Sequence, residues 1–300
     1  MSASTHEQSR RPVVLLTVPV DVPAVDGYDV VPGDLGDRPD AVGLLCGPMQ
    51  RLTAADLDAL PGLRAVSVAG AGTDGLDLDA LGERGIPLST APEPTAPATA
   101  DLAVTLMLMA ARRLDESQAL LRDGSWPGWS FDDVPGRDLH GATLGLVGFG
   151  HIGRLVARRA EAFGMTCLHH TRTPTGEPGH VADLADMLPR SDVLSVHVPL
   201  TTKTRGLIGP VELDLMPRDA IVVNTARGGI VDEQALCDRL DDGRLFAAGL
   251  DVFEDEPRVH PRLLRTPHLV LTPHIGSATQ QTRQRMVVTA AQRLAALLSP

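Results

Sequence analysis

Leu144-Gly145-Leu146-Val147-Gly148-Phe149-Gly150-His151-Ile152-Gly153-Arg154 is the stretch whose reading decides the fold. The first four residues read as a short buried strand. Three glycines follow with G-x-G-x-x-G spacing, and Arg154 to Ala162 is compatible with a helix. In such a strand–turn–helix each glycine has its own task. Gly148 permits the tight turn, Gly150 lets the backbone approach a pyrophosphate, and Gly153 lets the helix pack closely on the strand. The pyrophosphate would sit at the positive end of the helix, beside His151 and Ile152. The spacing alone is weak; the strand before it and the helix after it make it a dinucleotide site.

Outward from this turn the pattern is regular. Apolar runs fall at 143–147, 165–169, 193–198, 221–224, 247–251 and 269–271, with helical or turn-bounded segments between most of them. Strands alternating with such connections predict a parallel sheet covered on both faces, and six strands fit the dinucleotide-binding version of it. Upstream, 13–18, 41–46 and 64–68 read as strands, and 53–60 as a helix capped by Thr53. Residues 91–98 carry Pro92, Pro94 and Pro97, which predicts neither helix nor central strand but a crossing between domains. One long helix is expected over 99–121. A long loop is expected over 123–141, with both tryptophans, Trp126 and Trp129. Residues 278–298, free of Pro and Gly, read as a last helix, and residues 1–11 as a disordered tail.

The end of the second strand bears on which dinucleotide is used. An NAD site usually places Asp or Glu there, about twenty residues into the unit. Here the local sequence is His169-His170-Thr171-Arg172-Thr173, without an acid. Arg172 can pair with a 2′-phosphate, with Thr171 adding a hydroxyl donor. NADP(H) is therefore the expected cofactor, with NAD(H) left open as a second.

Three polar residues follow in order. Arg227 lies in Asn224-Thr225-Ala226-Arg227-Gly228-Gly229, Glu256 in Asp251-Val252-Phe253-Glu254-Asp255-Glu256-Pro257, and His274 in Thr272-Pro273-His274-Ile275-Gly276-Ser277. Hydride transfer to a 2-oxo acid needs a fixed cation for the carboxylate and carbonyl, and a proton for the alkoxide. Arg227 suits the first, because guanidinium pairs with a planar carboxylate and does not lose its proton. His274 suits the second as acid–base. Glu256 would orient its ring and favour the imidazolium. His197, at the end of a strand, reads as a packing histidine, and no histidines share metal-ligand spacing, so no catalytic metal is expected.

Composition narrows the alternatives. The 300 residues, 43% hydrophobic and 22% charged, suffice for two domains. A net charge of −11 disfavours nucleic-acid and anionic-membrane binding. Cys46, Cys167 and Cys237 are widely spaced, which suits a reducing compartment. No signal peptide and no apolar run of about twenty residues is seen, so the cytoplasm is the expected location.

With these motifs the chain resembles the D-isomer-specific 2-hydroxyacid dehydrogenases over almost its full length. The resemblance is carried by Ala71-Gly72-Thr73-Asp74 with Leu76-Asp77, the glycine turn, Val198-Pro199-Leu200, and the stretches around Arg227, Glu256 and His274. Within the family it is most similar to the glyoxylate/hydroxypyruvate reductases. The resemblance implies an α/β protein of two Rossmann-like or flavodoxin-like doubly wound parallel-sheet domains with a cleft between them. Residues 12–97 plus 278–300 would form the substrate domain and 98–277 the nucleotide domain, through which a homodimer would form. Cofactor contacts are implied at Val198, Pro199, Thr204, Thr225, Ala226 and Gly276, and from Asp251 to the nicotinamide carboxamide. Substrate contacts are implied at Ala71, Gly72, Arg227 and His274, and at Trp129, for which the resemblance suggests the partner subunit's site and the residues alone equally suit plain loop anchoring. Asp101 departs from the Glu of many relatives. The early stop at Pro300 argues against the longer phosphoglycerate dehydrogenases.

The expected activity is NADPH-dependent reduction of a small 2-oxo acid, of the glyoxylate/hydroxypyruvate type, to the D-2-hydroxy acid. Two other readings compete: NAD-dependent oxidation of another small anion such as phosphite, and a non-catalytic NAD(H)-sensing corepressor. The complete Arg/Glu/His set favours an enzyme.

Overall fold

The computed structural model describes residues 11–20, 22–131 and 134–299; the expected disordered tail, apart from Arg11, lies outside them. The chain divides into two compact units. One runs to Thr95 and resumes at Ser277; the other spans Ala96–Gly276.

In the first unit, β1 (Val13–Leu16), β2 (Asp29–Pro32), β3 (Ala41–Cys46), β4 (Ala65–Val68) and β5 (Leu88–Thr90) form one parallel sheet in the order β2-β1-β3-β4-β5. This is the flavodoxin-like strand order. Helices α1 (Ala54–Asp58) and α2 (Leu78–Glu83) connect its strands. Thr53 caps α1 in a capping box with Asp56, the hydroxyl accepting from the Asp56 amide and the Asp56 carboxylate from the Thr53 amide. The C-terminal helix, Gln280–Leu298, lays Met286, Val287, Ala290, Ala291 and Leu294 on the sheet beside Val14, Leu45 and Ala65. Two strands here escaped the sequence reading. Only residues 13–16 of the expected 13–18 pair as a strand, while β2 is an exposed edge and β5 has three half-buried residues. Short edge strands carry little apolar alternation to read.

The second unit opens with α3 (Ala96–Ala111) and α4 (Leu114–Arg122). Two expectations are corrected here. The proline-rich stretch does enter a helix: Pro97 sits in the first turn of α3, where a missing N–H costs nothing because those amides have no intrahelical partner. The single helix expected over 99–121 is broken at Arg113, which takes a left-handed φ of 48° and becomes the N-cap of α4. No glycine or proline marks the break. Arg113 instead turns its guanidinium over the Phe246 ring and donates to His268 Nε2 at 3.1 Å. Acidic Asp115 and Glu116 then occupy the first turn of α4, where they suit the helix dipole.

There follow β6 (Thr143–Val147), α5 (His151–Ala162), β7 (Thr166–His170), α6 (Leu184–Met187), β8 (Val193–Val196), α7 (Pro210–Leu215), β9 (Ala220–Asn224), α8 (Glu233–Asp241), β10 (Leu245–Leu250) and β11 (Leu269–Leu271). All six strands are parallel, in the order β11-β10-β9-β8-β6-β7. His180 makes a single parallel bridge to His169 on the outer side of β7, standing where a further strand of the dinucleotide-binding order would lie. One face of the sheet is packed by α3 and α5, the other by α6, α7 and α8. The strand order reverses between β6 and β8, and the glycine turn sits at that reversal, where α/β sheets bind ligands.

Candidate active site

The turn from β6 into α5 is glycine-dependent for two separate reasons. Gly148 has φ of +98°, and a Cβ there would lie 2.6 Å from the His197 carbonyl oxygen; at Gly153 a Cβ would lie 2.4 Å from the Gly148 carbonyl oxygen. Both glycines are demanded by the protein's own packing. Gly150 is different: a Cβ there meets nothing. Open space at a position kept free of side chain fits a ligand approaching the backbone at the start of α5, whose first residues are His151 and Ile152. Beyond the end of β9, at the same carboxyl edge of the sheet, Thr225 is buried with its Oγ1 lacking a hydrogen-bond partner among the described residues. An orphaned buried hydroxyl at that edge again fits a polar ligand. The residues present therefore suit a dinucleotide.

Other residues expected at the cofactor have visible roles within the protein. Thr204 donates to the Pro199 carbonyl at 2.6 Å and accepts from the Thr201 amide, bracing the loop that follows β8 and Val198. Thr171 donates to the Thr173 carbonyl at 2.7 Å. Arg172 is exposed, with no hydrogen bond or ion pair to the described residues. Nearby, His169 stacks on Phe149 with centroids 3.8 Å apart, and Arg154 covers the other ring and pairs with Glu177. His197 is a half-buried packing histidine: its Nε2 meets Ser195 Oγ at 2.8 Å, and desolvation pushes its imidazole down to about 3, so it stays neutral.

The catalytic candidates sit on three loops at the carboxyl edge. Beyond β9, Asn224 shapes the first loop: its Oδ1 accepts from the Ala226 amide at 3.0 Å and its Nδ2 donates to the Arg227 carbonyl at 2.8 Å. Arg227 is half-buried, with Nη1 donating to the Ala226 carbonyl at 2.7 Å. The Asp251–Pro257 loop follows β10. Glu256 folds back, Oε1 accepting from the Phe253 amide at 2.9 Å. Its Oε2 lies 2.6 Å from His274 Nδ1. A carboxylate facing Nδ1 assigns the proton there and leaves Nε2 outward, with no hydrogen bond among the described residues. Burial pushes the Glu256 carboxyl up, but hydrogen bonds from His274 and Phe253 and the charges of His274 and Arg227 outweigh it, holding it below the usual carboxylate range.

Asp251 anchors the third loop. It is fully buried; Oδ1 accepts from the Thr272 hydroxyl at 2.7 Å and the Ile275 amide at 2.8 Å, and Oδ2 from the Gly276 amide at 2.8 Å. Its carbonyl also accepts the His274 amide, so His274, at φ of 50°, is held on both sides. The sequence reading missed this anchoring, and Asn224 with it. The available signal was an Asx residue at each strand end.

The structure thus brings Arg227, Glu256, His274 and Asp251 onto adjoining loops of the second unit. Ala71 and Gly72 lie in the first unit, in the turn after β4. Trp129 is 75% exposed, edge-on to Phe131 at 4.7 Å between centroids. Among the described residues no helix is long and apolar enough to cross a membrane, and no group of three His, Cys, Asp or Glu is placed to hold a metal ion.

Comparison with known proteins agrees with this geometry. The family model described as D-isomer specific 2-hydroxyacid dehydrogenase, NAD binding domain, matches residues 104–276. A glyoxylate reductase of Thermococcus litoralis is 42% identical over 249 residues, covering 80% of this chain and 75% of that protein. A hydroxypyruvate reductase of Thermotoga maritima is 37% identical over 261 residues, covering 85% and 84%. The crystal structure of an NADPH-dependent glyoxylate/hydroxypyruvate reductase from Sinorhizobium meliloti, in complex with NADP and malonate, aligns with a TM-score of 0.85 at 33% identity, covering 96% of this chain and 94% of that one.

Proposed function

Since the chain belongs to the D-isomer-specific 2-hydroxyacid dehydrogenase family, we propose that it reduces a small 2-oxo acid of the glyoxylate or hydroxypyruvate type to the D-2-hydroxy acid, with NADPH as its preferred reductant. The observation that carries this reading is the His274–Glu256 pair, 2.6 Å apart across two loops that adjoin the loop of Arg227. NADPH, when bound, supplies the hydride. Arg227 takes the substrate carboxylate in a two-point pair and polarises the carbonyl. His274 gives the proton on Nε2 to the carbonyl oxygen as the alcohol forms, and takes it back in the reverse direction. Glu256 holds the ring through Nδ1 and stabilises its protonated form. The first unit, which holds Ala71 and Gly72, serves as substrate domain.

Gly148, Gly150 and Gly153 receive the pyrophosphate with His151 and Ile152. Arg172, exposed and unpaired at the end of β7, receives a 2′-phosphate; NADP in the Sinorhizobium meliloti relative supports that choice. Val198, Pro199, Thr225, Ala226, Asp251 and Gly276 surround the remaining cofactor. The working form is a homodimer through the nucleotide unit, in which the exposed Trp126, Trp129 and Phe131 become covered and Trp129 reaches the substrate.

Initial rates of NADPH and NADH oxidation with glyoxylate, hydroxypyruvate and pyruvate test the reading. Faster turnover with NADPH on either of the first two acids is expected. A preference for NADH overturns the cofactor assignment, and silence with every acid overturns the reductase.

A further inference from the structure

Resting on that reading, we propose that Glu233 is a positioning residue for the Glu256–His274 pair, tying the catalytic turn to helix α8. Glu233 is the first residue of α8, which is fixed in the core by Ala235, Leu236, Cys237 and Leu240 and capped by Asp232 accepting from the Ala235 amide. Its Oε1 accepts the Glu254 amide at 2.7 Å. That amide belongs to the turn that Glu256 closes by accepting from Phe253. Each of these two consecutive amides therefore ends on a glutamate. One carboxylate is the partner of His274; the other stands on a helix whose inner face is packed into the core.

The tie is unusual in its electrostatics. Glu233 is half-buried and faces Glu254 and Asp255, which disfavour its charge, while His260 favours it. A carboxylate kept among carboxylates, and desolvated, serves the fold poorly as a surface charge. It serves as an acceptor aimed at one amide. The Glu254 side chain is meanwhile drawn outward to Arg205 at 3.0 Å, so the turn is held at its backbone by α8 and at its side chain by the loop after β8. With Glu254 free to rotate, Glu256 would lose the geometry that places Oε2 on Nδ1, and the ring would lose its fixed tautomer.

Four substitutions and two readouts test this. In Glu233→Ala, kcat should fall about tenfold with KM for the 2-oxo acid within about twofold, as expected when one charge-accepting hydrogen bond is lost from a positioning contact. The limb of the pH profile of kcat should shift with it. Glu233→Gln, which keeps an oxygen in place, should restore both; Glu233→Asp, which keeps the charge but not the reach, should not. A role in overall stability alone would lower the amount of active protein without moving the pH limb. The second readout needs no turnover: the chemical shift of the proton between His274 Nδ1 and Glu256, read by NMR in the protein without substrate. Glu256→Gln should move that signal toward the position of an imidazole without a carboxylate partner, and Glu233→Ala should move it part of the way. Movement in Glu256→Gln without movement in Glu233→Ala overturns the inference and leaves the pair intact. No movement in either overturns both. Movement in both, in a protein that reduces no 2-oxo acid, upholds the positioning role and overturns the proposed reaction.

Discussion

Gly228 lies against the backbone of Phe253 so closely that a Cβ on it would fall 1.9 Å from the Phe253 carbonyl carbon. The loop that presents Arg227 is thus in direct contact with the turn that presents Glu256. The proposed anion site and the proposed acid–base pair are set by one packed contact between backbones rather than by two independent loops. Glycine is required at this position by space, whatever its φ.

Gly228→Ala is therefore expected to force the two loops apart. Overpacking against backbone should cost at least about 2 kcal/mol of stability and lower kcat/KM together with it. Urea denaturation beside steady-state kinetics reads both. Wild-type stability with wild-type kcat/KM would show that the two loops are not coupled.

Arg227→Lys keeps the charge but loses the planar two-point fork. About a 100-fold fall in kcat/KM for the 2-oxo acid is expected, with NADPH affinity unchanged. Fluorescence titration of NADPH separates the two effects. Weakened NADPH binding with intact substrate kinetics would place Arg227 on the cofactor instead.

How far these residues could be read from the sequence differs from element to element. The six strands of the second unit were legible because strands buried on both faces are near-continuous apolar runs. The glycine turn was legible because its spacing carries its mechanism, and the order of Arg227, Glu256 and His274 because each residue type suits one chemical task. What escaped depends on contacts far apart in the chain. The break at Arg113 comes from Phe246 and His268, more than a hundred residues away, and leaves no local mark. The hold of the Asp251 carboxylate on Thr272, Ile275 and Gly276 likewise has no local mark in the sequence. Glu233, in the first turn of α8, carries no local mark of its contact with the Glu254 amide. Hydrogen bonds from side chain to distant backbone have no periodicity.

Arg172→Ala should raise KM for NADPH about tenfold, the loss expected for a charged pair with phosphate, and leave KM for NADH nearly unchanged. Parallel saturation curves with both cofactors read this directly. Equal effects on the two would remove Arg172 from any role in choosing between them.

The Glu256 carboxyl is held below its ordinary value, which for a free side chain is about 4.3. A depressed carboxyl stabilises the fold above that ordinary value, and its contribution is lost as pH falls through the lower, folded value. Thermal melts of wild type should therefore fall more steeply with acidification below about pH 4.5 than those of Glu256→Gln. Parallel curves for the two proteins would mean that the carboxylate gains nothing from His274 and Phe253.

The most direct test of the central claim is the rate of glyoxylate-dependent NADPH oxidation by wild type and His274→Ala, measured side by side with NADPH binding confirmed in both. If His274 delivers the proton, kcat falls at least about 100-fold while NADPH still binds. A His274→Ala protein that binds NADPH and turns over within a fewfold of wild type would contradict the account.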